Sequence, residues 1–95
     1  MEVIIKERAQ RSIRRIARFI FDKGYPETAV KFAMRLDKFA NGLGMFPEKY
    51  PVCKQKSYAK KNFRCVPFEK NYIFIYKIAN DKVFVLNLVH AARIY

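Results

Sequence analysis

Only two cysteines occur, Cys53 and Cys65, and neither stands in a CxxC pair or beside a histidine. That is too few for a disulfide framework and the wrong spacing for a zinc site, so both are expected as reduced thiols. Histidine occurs once, at His90. No glycine-rich phosphate loop, Ser-His-Asp set or paired-carboxylate site is evident, which excludes conventional metal and nucleotide enzymes and leaves no cofactor expected. Long apolar runs are also missing, since no stretch approaches the roughly 18–20 residues that a membrane span requires. A membrane is therefore not an expected partner. The segment Met1–Lys6 has no basic n-region, long apolar h-region or small-residue cleavage site, so a secretory signal is not expected and a cytoplasmic location is. Acidic residues are scarce, with 8 Asp and Glu against 20 Lys and Arg, and the net charge is +12. A single-sign field of this size suits an anionic partner: nucleic acid, an acidic protein or an anionic surface.

What is present suffices for one core. The chain of 95 residues is 52% hydrophobic and 16% aromatic, a composition that argues against disorder and for a single domain spanning 1–95. Val3, Ile4 and Ile5 are a β-branched run suited to a buried strand. From about Glu7 to Asp22, Ala9, Ile13, Ile16, Ala17 and Ile20 recur at helical spacing, and Arg8, Arg11, Arg15 and Arg18 fall on an adjoining face. Gly24 and Pro26 punctuate the pattern. A second helix is predicted from Pro26 to Gly42 or Phe46, with Ala29, Phe32, Ala33, Leu36, Phe39, Ala40 and Leu43 on its apolar face.

From Pro47 to Asn62 periodicity disappears, and a long structureless loop is expected there, rich in lysine with Tyr50 and Tyr58 among them. Three strands follow, at Phe63–Phe68, Tyr72–Ala79 and Val83–His90. Pro67 lacks an amide donor, so its strand belongs at an edge or bulge, and Asn80-Asp81 is a hairpin signal. The predicted order is β-α-α-β-β-β, an α+β fold in which an N-terminal helical hairpin packs on a mainly antiparallel four-stranded sheet. The other sheet face is expected to be free for a partner.

Several residues have the chemistry for a site. His90 is either a general acid–base or a hydrogen-bonded structural residue at a strand mouth. Arg93 and Tyr95 follow it and gather polar tips beyond the strand end. Arg64, in an otherwise apolar strand, either meets phosphate or pairs with an acid such as Glu69. The helix-one arginines are either a solvated face or a binding surface. Lys54, Lys56, Lys60 and Lys61, interleaved with Tyr58, have the residue types that track a phosphate backbone and stack on bases. Cleavage of RNA through the 2′-hydroxyl needs no metal, only a base, an acid and a cation, and Arg64, His90, Arg93 and a lysine are of the right types.

The Ala-Ile-Ile helix, the helix opened by Pro26 and ending near Phe46-Pro47, and Arg64 in a strand come in a specific order. Asn71-Tyr-Ile-Phe-Ile-Tyr-Lys-Ile78, Val83-Phe-Val-Leu86 and His90-x-x-Arg93 complete it. This combination, spanning nearly the whole chain, resembles the RelE/ParE superfamily of bacterial toxins. The resemblance implies the toxin of a type II toxin–antitoxin pair of the plasmid-stabilisation kind. It would be neutralised in a hetero-oligomer by a cognate antitoxin whose C-terminal segment wraps it.

Two mechanisms occur in the superfamily: ParE-like members inhibit DNA gyrase, and RelE-like members are metal-independent endoribonucleases that cut messenger RNA on the ribosome. RelE-like nucleases typically carry a cation where this chain has Ile73, and some carry a second basic residue where it has Val66. The Asn-Tyr-Ile-Phe-Ile-Tyr and His-x-x-Arg patterns look closer to ParE-like chains, so gyrase inhibition leads. The +12 charge suits a ribosomal RNA surface, and His90 and Tyr95 keep the mRNA interferase alternative, with Arg64, His90, Arg93 and Tyr95 as its catalytic set. Whether the chain is an enzyme stays open between these two. The third alternative is a non-toxic basic module that binds nucleic acid through the lysine loop and the helix stripe.

Overall fold

Periodicity and strand propensity are realised almost residue for residue. A computed structural model describes residues 1–93, in which β1 (Glu2–Ile5) leads into α1 (Glu7–Asp22) and α2 (Pro26–Gly42). The chain continues through α3 (Lys56–Ala59) and the strands β2 (Arg64–Phe68), β3 (Tyr72–Ala79) and β4 (Lys82–His90). Pro26 opens α2, where its missing amide costs nothing. Gly24, at φ +97°, takes the left-handed conformation that turns the chain out of α1. Asn80 and Asp81, both at positive φ, form the two-residue turn between the paired residues Ala79 and Lys82.

The sheet order is β1-β4-β3-β2. β1 runs parallel to β4, and the other two pairings are antiparallel. Pro67 accordingly lies on an edge strand, β2, as its lack of a donor requires. The helical hairpin covers one face. Phe32, Leu36 and Ala40 of α2 pack with Val66, Phe68, Phe74, Tyr76, Val83, Val85 and Leu88 of the sheet, while Ile13, Ile16 and Ile20 of α1 close the side. Gly44 is required by a close approach: a Cβ there would sit 2.3 Å from the Met1 carbonyl oxygen.

Three expectations are corrected. The segment from Pro47 to Asn62 is not structureless: Pro47–Lys49 is a 3₁₀ turn, Lys56–Ala59 is a helical turn, and Val52 bridges Arg64. It also occupies the sheet face expected to be free, where Cys53 is buried with Ile73 and Ile75 against Tyr58, Phe63 and Leu86. Apolar residues of β3 point to both faces, and the second face gains a cover because exposed Ile73 and Ile75 would cost about 1.5–3 kcal/mol each. The same packing overturns the expected pair of thiols. Cys53 and Cys65 come together with a Cα–Cα distance of 4.9 Å and form a disulfide across a sequence separation of 12. No helix among the described residues is long and apolar enough to cross a membrane.

Candidate functional site

The placement of His90 turns on an irregularity in β4. Ile75 pairs with Asn87 while Tyr76 pairs with Val85, so Leu86 has no opposite number and the strand bulges. Before the bulge Val83 and Val85 face the helices; beyond it Leu88 joins them, whereas Leu86 and Val89 face the other way. Strict alternation from Val83 would have aimed His90 away from α1. The extra residue brings it round to the helical side, where its ring packs edge-to-face on Tyr72 with centroids 5.8 Å apart. The Ala92 amide donates to His90 Nδ1 at 3.2 Å, which leaves Nε2 to carry the proton of the neutral ring.

The bulge is anchored to α1 by a buried polar contact. Ser12 Oγ donates to Asn87 Oδ1 at 2.6 Å, and the same oxygen accepts the Leu88 amide at 2.8 Å. Arg15 Nη2 donates to Ser12 Oγ at 3.4 Å. Helix α1 thereby lies beside the end of β4 and opens a cleft of about 830 Å3. Arg8, Arg11, Arg15 and Phe19 line it from α1, Tyr72 and His90 from the sheet, and Gln55 and Tyr58 from the α3 segment. The arrangement gathers guanidiniums, an imidazole N–H and aromatic rings around one concave surface, which is chemistry for holding an anion.

Arg64 does not join them. His90 pairs with Tyr72 and Arg64 with Tyr76, on opposite flanks of β3. Strand rise and spacing therefore separate their backbones by roughly 16 Å. The Arg64 Nη1 donates to the Glu48 carbonyl at 3.3 Å and to the Tyr50 carbonyl, holding the 3₁₀ turn against β2. Its neighbour Tyr76 does the same from below, donating its buried hydroxyl to the Pro47 carbonyl at 2.5 Å. Burial pushes the Tyr76 phenol up to about 12; the nearby Arg64 charge pulls the other way, and Tyr50 adds slightly to the rise. Glu69, the acid that might have paired with Arg64, instead accepts from Arg35 Nε at 2.8 Å.

The remaining sequence-derived residues divide. Lys54, Lys56, Lys60 and Lys61 are exposed on and around α3, outside the cleft that Tyr58 lines. Ile73 and Val66, each 1% exposed, fill the two sides of the core. Arg93 falls in the closing 3₁₀ turn, Ala91–Arg93. Its side chain, like Tyr95, lies outside the described residues. Tyr72 and the Ser12–Asn87 pair escaped sequence reasoning. The available signal was Asn87, a polar residue inside an otherwise apolar strand.

Comparison with known proteins agrees with this architecture. No curated protein sequence matches the chain. Among solved structures it is similar to a chain of the "Chromosomal ParDE TA system from P. aeruginosa", with a TM-score of 0.80 and 12% identity over 95% of each chain. At that identity the likeness speaks for the fold. The family model described as "ParE toxin of type II toxin-antitoxin system, parDE" matches residues 3–95, which take in every strand and helix described above apart from Glu2 at the start of β1. The chain belongs to the ParE toxin family of type II toxin–antitoxin systems.

Proposed function

We propose that this toxin arrests growth by ParE-like inhibition of DNA gyrase and not by RelE-like cleavage of messenger RNA. The separation of Arg64 from His90 carries that choice. Metal-independent cleavage needs a base, an acid and a phosphate clamp around one scissile bond, within hydrogen-bond reach of it. Here the strand arginine is spent on the carbonyls of Glu48 and Tyr50, on the far side of β3 from the only histidine. The buried apolar Ile73 and Val66, at positions where nucleases of the superfamily carry cations, support the same choice.

Neutralisation falls to a cognate antitoxin, the other half of a ParDE pair. Met45 and Phe46, 74% and 78% exposed, rim an apolar groove floored by Phe39, Leu43 and Phe68, the type of surface that a partner segment covers. Expression of the toxin without antitoxin tests the reading: growth stops while transcripts mapped by primer extension remain uncut. Ribosome-dependent cuts in those transcripts would overturn it.

A further inference from the structure

The α1 arginines are flanked by aromatic rings, and this combination says more than charge alone. Arg8, Arg11 and Arg15 line the cleft at i, i+3 and i+7. The helical rise spreads them over about 10 Å. A row of that length accommodates about two or three successive phosphates of an unpaired strand, matching three guanidiniums. Among the described residues the only carboxylate partner of the three, Glu7, stands 3.8 Å from Arg11 with both side chains mostly exposed, a pair of little energetic weight. Among the described residues Arg8 and Arg15 have none.

Phe19 continues the row along α1 and is 63% exposed. Lys23 Nζ lies 5.2 Å from the centre of its ring, and the ring lines the cleft. An open phenyl ring beside a row of cations is how proteins hold unpaired bases, since every base has a face to stack while the backbone tracks the charge. His90 also lines the cleft and adds an imidazole to it.

We propose that this cleft binds single-stranded nucleic acid, with successive phosphates on Arg8, Arg11 and Arg15 and a base against Phe19. Gyrase inhibition is not a premise of this site, and the test contains no gyrase. Fluorescence anisotropy of labelled oligothymidylate and oligouridylate is measured on the intact chain over a range of salt. Three phosphate contacts give a slope of log K against log salt of about −2 for a single strand. The triple variant R8Q/R11Q/R15Q weakens binding on the order of ten-fold or more and flattens the slope. Phe19→Ala weakens it about ten-fold with the slope unchanged.

The variant K54Q/K56Q/K60Q/K61Q removes more charge than the arginine variant but costs less affinity, which separates a site from the general field of the protein. All these side chains are exposed, so the fold survives their replacement. Tighter binding of either oligomer supports the site and names its sugar. The proposal is overturned if the lysine variant costs more than the arginine variant, or if Phe19→Ala binds as tightly as the unchanged chain.

Discussion

Ser12 and Asn87, 75 positions apart, meet in a buried hydrogen bond that ties the first helix to the bulge of the last strand. Asn87 also accepts the Leu88 amide, so its loss strands two donors, whereas the loss of Ser12 leaves Oδ1 still satisfied by Leu88. Unsatisfied buried groups cost about 1–3 kcal/mol. Asn87→Ala is therefore expected to destabilise the chain more than Ser12→Ala, measured as the difference in free energy from urea unfolding. Because the bulge aims His90, Asn87→Ala should also broaden the His90 ring resonances.

Tyr76 gives stability a dependence on alkaline pH. Its folded pKa of about 12 lies above the ordinary value of 10.0, so the folded state holds the phenolic proton more tightly. The associated stability is fully present below pH 10 and is lost as pH rises from about 10 to 12, by a few kcal/mol. Tyr76→Phe should abolish that part of the decline. It should also lower stability at neutral pH by about 1–3 kcal/mol, because the Pro47 carbonyl loses its donor. Urea unfolding of both proteins at pH 8 and 11 distinguishes the two effects.

The Cys53–Cys65 bridge closes a short loop and pins the cover of the second sheet face. A loop of this size contributes about 3 kcal/mol through the unfolded chain. Reduction by a dithiol, or Cys53→Ser with Cys65→Ser, should lower the Tm and expose Ile73 and Ile75 to a hydrophobic dye. An unchanged Tm on reduction would show that the bridge contributes nothing.

Gly44→Ala places a methyl group 2.3 Å from a backbone oxygen, too close for either to stay where it is. The expected cost is about 1–3 kcal/mol, with the loss concentrated in β1, readable as faster amide exchange at Val3–Ile5. Gly42→Ala, whose added methyl group would meet nothing within 4 Å, serves as the control.

The parts of this fold that were legible in the sequence are those governed by neighbours in the chain. Ala9, Ile13, Ile16 and Ile20 repeat at helical spacing, Pro26 marks a helix start, Asn80-Asp81 makes a turn, and each signal predicts its element to within a residue or two. What stayed hidden depends on pairing across the chain. Nothing local in Val83–His90 announces that Leu86 will lack a partner, yet that one residue decides which face His90 occupies. The partnership of Cys53 with Cys65 likewise follows from the α3 segment folding over Ile73 and Ile75. Arg64 carried the right charge for a phosphate clamp, and only the fold of the Pro47–Lys49 turn reveals that backbone carbonyls already hold it.

The most direct test of the central claim is ATP-dependent supercoiling of relaxed plasmid by purified gyrase, with ribosome-bound message probed in parallel with the same toxin. Inhibition of gyrase predicts loss of supercoiled product and trapped gyrase–DNA complexes, with the message intact. Full supercoiling at a molar excess of toxin, together with cutting of the message, would contradict it.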